Sequence, residues 1–248
     1  MKKMVPIVTL SPRDYDAVLF DLDGVLTRTA SVHAAAWKRL FDGFLEQRVA
    51  ATGEAFAAFD IESDYRRYVD GKPRYDGVAS FLDSRGIALP SGTPDDAPGM
   101  QTVHALGNLK DHYFLQQLEQ HGVEPYEATI ALVETLRTQK VKTAVVSSSN
   151  NCAAVLEAAG ISGLFDARVD GMDITRLALN GKPAPDGFLE AARRLRADPQ
   201  RAVVVEDALA GVEAGRAGGF DLVIGIDRSG QSQALREAGA DVVVTSLA

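Results

Sequence analysis

Cysteine is almost missing from this chain: Cys152 is the only one among 248 residues. An intrachain disulfide is therefore impossible, and nothing in the thiol content points to an oxidising compartment. Cys152 itself reads as a small helix residue packing inward. Long apolar runs are missing as well. Lys2 and Lys3 precede no hydrophobic stretch long enough for a signal peptide or a membrane span, so a cytoplasmic location and no membrane partner are expected. Basic residues are outnumbered, with 26 Lys and Arg against 34 Asp and Glu, and the formal net charge of −8 argues against unspecific nucleic-acid binding. An anionic substrate would need local cations, from a metal or from a few placed Lys and Arg. What is present is ordinary for a globular protein: 46% hydrophobic and 24% charged residues. The length allows one large domain, or a core with a smaller insert.

Apolar runs at Ala17 to Phe20, Thr143 to Val146, Ala202 to Val205, Leu222 to Ile226 and Val242 to Val244 read as strands, with Ala167 to Val169 a shorter one. Near-continuous apolar strands alternating with helical patterns indicate an α/β fold, a doubly wound parallel sheet covered on both faces. Ligands of such sheets bind beyond the carboxyl ends of the strands. The gap between the first and second strands is too long for one crossover helix. Val32, Trp37, Leu40, Phe41, Phe44 and Leu45 recur at helical spacing from about Ser31, and further helices are expected near Gly77 to Arg85 and Val103 to Gln120. Gly86 and Gly122 are their stops. Residues 90–99, rich in Pro, Gly and Asp, form a loop by composition. The expected organisation is a discontinuous core, residues 1–31 and 125–248, with an inserted α-helical cap domain over residues 32–124.

Polar residues cluster at the strand ends. Phe20-Asp21-Leu22-Asp23-Gly24-Val25 places two carboxylates two residues apart where a strand opens into a loop. If the backbone stays extended, the period of two turns Asp21 and Asp23 to the same side. Crowded carboxylates repel unless a cation or a proton lies between them. The plain alternative is a turn, since Asp and Gly are favoured there. Downstream stand Thr143-Ala144-Val145-Val146-Ser147-Ser148-Ser149, then Gly181-Lys182-Pro183-Ala184-Pro185-Asp186, then Ala202-Val203-Val204-Val205-Glu206-Asp207. Each has its own plain alternative: one of the three serines capping a helix, Lys182 solvated in a loop, Glu206-Asp207 capping a helix.

These four motifs, in this order and at strand ends, resemble the haloacid dehalogenase superfamily of phosphoryl-transfer enzymes over nearly the whole chain. The resemblance implies a Rossmann-like core with a helical cap inserted after the first motif. It implies Asp21 as a nucleophile that forms an aspartyl phosphate, and Asp23 as the acid and base at the transferring oxygen. Mg²⁺ would be held by the Asp21 carboxylate, the Asp23 carbonyl and Asp207, with Glu206 acting through water or orienting the shell. Ser147 and the Ser148 amide would bond phosphate oxygens, and Lys182 would supply a fixed charge between phosphate and nucleophile.

Within the superfamily, Thr27-Arg28-Thr29-Ala30-Ser31-Val32-His33 followed by Trp37 is similar to the β-phosphoglucomutase-like family. That similarity implies a substrate side made of Thr29, His33, Lys72, Arg74, Ser148 and Asn151, with His33 coupling cap closure to Asp23 and Arg74 binding the phosphate that does not react. The plain alternative for His33 is a helix-surface histidine, and Trp37 reads as a core anchor. Asp70 stands where the family often has a lysine, with Lys72 two residues on. The implied activity is conversion of β-glucose 1-phosphate to glucose 6-phosphate by a monomer acting on a small sugar phosphate. Hydrolysis of sugar phosphates on the same fold is the alternative.

Other readings fit less well. Gly211, Gly215 and Gly218 follow the Ala202 to Val205 strand, but at G-x-x-x-G-x-x-G spacing and with acids where a pyrophosphate would approach. A phospho-signalling receiver would share the acids, hydroxyl and lysine, yet needs no insert. Gly71-Lys72-Pro73 echoes Gly181-Lys182-Pro183 without any flanking repeat, so both are read as loops entering helices.

Overall fold

The computed structural model describes residues 9–53 and 57–247; Lys2 and Lys3 lie outside them. The chain divides into two compact units, Met1–Arg28 with Glu124–Ala248, and Thr29–Val123.

The first unit is built on a six-stranded sheet of β1 (Ala17–Phe20), β2 (Lys142–Val146), β3 (Ala167–Val169), β4 (Ala202–Glu206), β5 (Leu222–Ile226) and β6 (Val242–Val244). Their spatial order is β3-β2-β1-β4-β5-β6, with every pairing parallel. All six expected apolar runs are strands. β1, β4 and β5 are buried along their whole length, which is why they read as continuous rather than alternating.

In the other unit α1 (Ala30–Thr52), a π-helical turn (Tyr65–Val69), α2 (Arg74–Ser84) and α3 (Val103–His121) surround an aromatic centre. Trp37, Phe41, Phe59 and Phe81 are buried there, and Phe41 packs tilted against Phe81 with centroids 4.0 Å apart. Trp37 is thus a core anchor. α2 begins three residues earlier than its apolar pattern suggests, because Pro73, with its fixed φ, stands as the N-cap. The loop at residues 90–99 is stitched onto α3: Thr102 Oγ1 donates to Asp96 Oδ2 (2.6 Å), and Asn108 Nδ2 to the carbonyls of Pro94 and Asp96.

Around the sheet run α4 (Glu127–Thr138), α5 (Cys152–Ala158), α6 (Gly171–Arg176), α7 (Asp186–Leu195), α8 (Leu209–Ala217) and α9 (Ser232–Glu237). α7 covers β1, β2 and β3 with Phe188 and Ala191, and α8 covers β4 and β5 with Val212. Cys152 is fully buried at the head of α5, and burial pushes its thiol well above the usual range. Among the described residues no helix is long and apolar enough to cross a membrane.

Candidate active site

The register of the three central strands assembles the site. Phe20 is level with Val145 on one side and Val205 on the other, so the next residue, Asp21, comes level with Val146 and Glu206. Its amide still donates to the Val205 carbonyl (2.9 Å), which fixes its backbone as firmly as a strand residue. Asp21 is 7% exposed and Glu206 fully buried.

Lys182 reaches between them. Its Nζ lies 2.5 Å from Asp21 Oδ1, 2.6 Å from Glu206 Oε1 and 3.3 Å from the Val146 carbonyl. The loop presents it because Asp186, in the first turn of α7, closes back on Asn180, accepting from its amide and side chain. Phe188 then packs beside the ammonium, 5.0 Å from ring centroid to Nζ. Burial disfavours the Lys182 charge, but Asp21 and Glu206 outweigh it and its pKa is raised. One ammonium does not balance the carboxylates around it. Asp21 is held well above the ordinary carboxylate range, first by burial and then by the charge of Glu206. The charge of Asp23 adds to the same shift.

Glu206 uses both oxygens. Oε1 meets Lys182, while Oε2 accepts from the amides of Asp207 (2.8 Å) and Ala208 (2.9 Å). The helix-capping alternative for Glu206-Asp207 therefore gives way: the N-cap of α8 is Ala208, with no side-chain cap, and Glu206 folds over the turn preceding it. This is possible because residue 211 is glycine, where a Cβ would sit 1.7 Å from Glu206 Oε1. Asp207 is admitted in the same way by Gly24, whose φ of +83° is left-handed and where a Cβ would lie 1.8 Å from Asp207 Oδ2. Oxygens of Asp21, Glu206 and Asp207 all lie within 4.8 Å of one another. This all-oxygen, negatively charged donor set suits a hard divalent cation such as Mg²⁺. Asp23, half-buried, is outside this group and bridges to Thr27 across the tight turn that follows β1.

Ser147 is buried directly after β2, its amide bonded to the Val169 carbonyl and its Oγ accepting from the Ser149 amide (3.1 Å). Ser149 Oγ accepts in turn from the Asn151 amide. None of the three serines is the N-cap of α5. That position belongs to Asn151, because two successive hydroxyl turns carry the chain one step further before the helix starts. Ser148 and Asn151 lie half-buried in this loop.

The other expected site residues belong to the inserted unit. Thr29 is buried at the head of α1, and its carbonyl accepts from the His33 amide. His33 is 9% exposed, so the surface alternative is wrong. Its ring stacks on Phe114 at 4.1 Å, and Nδ1 lies 2.6 Å from Lys110 Nζ. An ammonium at Lys110 would donate to that nitrogen. Lys110 went unread in the sequence, although Leu106, Lys110 and Phe114 at helical spacing put a lysine on a buried stripe. Arg74 pairs with Asp111 (2.8 Å), and Lys72 donates to Ser80 Oγ (3.1 Å). The echoed lysines thus have different surroundings: Lys72 faces a hydroxyl, Lys182 two carboxylates.

Residues 15–219 match the model of the haloacid dehalogenase-like hydrolases. The chain is 48% identical to a β-phosphoglucomutase of Mycobacterium bovis over 96% of this chain and 92% of that one. It is 25% identical to a phosphorylated carbohydrates phosphatase of Thermotoga maritima, covering 92% of this chain and 94% of the relative. A crystal structure of β-phosphoglucomutase from Clostridium difficile superposes with a TM-score of 0.71 at 25% identity, over 94% of this chain and 92% of that one.

Proposed function

The chain belongs to the haloacid dehalogenase-like hydrolase family, enzymes of phosphoryl transfer, and from that premise we propose that it is a β-phosphoglucomutase working through an aspartyl phosphate. The observation that carries the chemistry is the buried Asp21–Lys182–Glu206 line closed by Asp207. Phosphoryl transfer asks a protein to position the group, neutralise its charge and hold a nucleophile in line. Asp21 attacks phosphorus, and its backbone, bonded into the sheet, keeps the carboxylate aimed. Lys182 holds the Asp21 carboxylate and offers its remaining charge to the phosphoryl oxygens. Asp23 protonates the leaving oxygen and then takes the proton of the attacking sugar hydroxyl. Ser147 and the Ser148 amide bind equatorial oxygens.

Asp21, the Asp23 carbonyl and Asp207 would hold Mg²⁺, with Glu206 keeping the turn of Asp207 in shape. When bound, Mg²⁺ supplies the positive charge that Lys182 alone leaves wanting and orients the phosphoryl oxygens.

In the inserted unit Arg74 takes the phosphate that does not react, exchanging Asp111 for it, since the guanidinium fork suits either anion. Thr29, His33, Lys72 and Asn151 contact the sugar, and the enzyme acts as a cytoplasmic monomer. The mutase reading is favoured over hydrolysis by the 48% identity along nearly the full length of both chains; the phosphatase relative supports the alternative at 25%. The test is incubation with β-glucose 1-phosphate and a glucose 1,6-bisphosphate primer. Glucose 6-phosphate forming faster than inorganic phosphate is expected; phosphate release without the isomer would assign the phosphatase instead.

A further inference from the structure

The loop after β5 touches both acidic loops at once. Arg228 Nε donates to the Gly24 carbonyl (2.7 Å), and its Nη1 to the Thr245 carbonyl (3.3 Å). The same guanidinium lies over the Tyr126 ring, 3.7 Å from the centroid. Three residues on, Gln231 Nε2 donates to the Asp207 carbonyl (3.3 Å). Asp227 shapes the loop that carries both, accepting from the amides of Ser229 (3.1 Å), Gln231 (2.8 Å) and Ser232 (3.1 Å) and from the Ser232 hydroxyl.

The need for such support follows from where the sheet ends. Asp21 and Glu206 are still tied into the ladder, through the Asp21 amide and the pairing of Glu206 with Gly225. Gly24 and Asp207 lie on turns beyond it, and the Asp207 carboxylate stands within 4.8 Å of those of Asp21 and Glu206. Repulsion drives such turns apart. We propose that Arg228 and Gln231 are positioning residues: together they brace the Gly24 and Asp207 turns by their carbonyls and hold the carboxylates at cation-binding distance before any cation arrives. Holding backbone oxygens fixes position without consuming the carboxylates. Arg228 suits the task because one planar group, with its donors set apart on Nε and Nη1, serves two carbonyls and a ring in a fixed geometry; a lysine concentrates its donors on a single nitrogen at the end of a flexible stem. The part of this inference that concerns cation affinity rests on the metal reading above, while the brace itself does not.

Two measurements on Arg228→Ala, Arg228→Lys and Gln231→Ala separate these. Hydrogen exchange needs no metal. In Arg228→Ala the amides of residues 22–27 and 207–209 should exchange faster, those of β5 should not, and Arg228→Lys should restore part of the protection. Mn²⁺ titration of the unliganded protein, read from the free-ion paramagnetic resonance signal, should show Arg228→Ala binding about 10-fold more weakly, the size of effect outer-shell groups have on metal sites. Gln231→Ala should shift in the same direction. Arg201→Ala is the control: it removes an arginine that bridges a carboxylate and a carbonyl, Asp16 and Arg13, at the opposite end of the sheet, and should leave both readings unchanged. If Arg228→Ala melts earlier but keeps wild-type exchange in both turns, Arg228 is merely structural and the brace is wrong. Wild-type protein that fails to take up Mn²⁺ would instead overturn the metal reading, with the exchange data still deciding the brace.

Discussion

Gly24→Ala adds a single methyl group beside the cluster, and its consequences can be worked out in advance. The backbone there has φ +83°, a conformation that costs an L residue about 1–2 kcal/mol. The new Cβ would also start 1.8 Å from Asp207 Oδ2, so the carboxylate must retreat by about 2 Å to reach ordinary contact. A displacement of that size at a reacting centre costs about 100-fold in rate, and the Mg²⁺ needed for half-maximal turnover should rise at least about 10-fold. Gly43→Ala is the matched control. Gly43 lies inside α1 with nothing within 4 Å of an added Cβ, and the change should raise stability by about 0.5–1 kcal/mol without touching turnover. The assay is an Mg²⁺ titration of turnover beside a thermal melt of each variant. Wild-type turnover and Mg²⁺ dependence in Gly24→Ala would refute the argument that Asp207 occupies that space for a catalytic reason.

Lys182→Ala should cost about 3–5 kcal/mol of stability at neutral pH, because it strands two buried carboxylates. The deficit in urea unfolding should shrink as pH falls, since a carboxylate whose folded pKa is raised takes up its proton more readily folded than unfolded. Glu190, bonded by Arg193 and Arg194, has its pKa lowered to about 2. Its contribution is therefore present above its unfolded value near 4.5 and lost as pH falls toward 2. Glu190→Gln should remove about 1 kcal/mol at neutral pH and flatten that stretch of the acid-unfolding curve. Arg74→Ala should depress isomerisation of the hexose phosphate far more than hydrolysis of acetyl phosphate, which has no second group for that guanidinium; equal losses would contradict a phosphate role for Arg74.

The strands were legible because sheets buried on both faces leave unbroken apolar runs, and Asp21, Ser147, Glu206 and Asp207 stood out as polar residues ending those runs. What the sequence hid depends on contacts across long separations. Lys110 could have been noticed on its apolar stripe, but its partner His33 lies 77 positions away. Gly24 and Gly211 matter only because carboxylates from β4 and its following turn occupy the space a Cβ would need. Arg228 looks like any surface arginine until the fold brings it to Gly24, 204 positions earlier. The π-helical turn at Tyr65–Val69 carries neither a strand nor a helix period strong enough to announce itself.

In the proposed reaction the phosphoryl group passes through Asp21. The direct test is to mix the enzyme with labelled glucose 1,6-bisphosphate, quench with acid, reduce with borohydride and map the modified peptide. Modification is expected at Asp21 and none in Asp21→Asn, with turnover by that variant lower by several orders of magnitude. Label at another residue, or Asp21→Asn keeping more than about a tenth of the wild-type rate, a barrier change below ~1.4 kcal/mol, would contradict it.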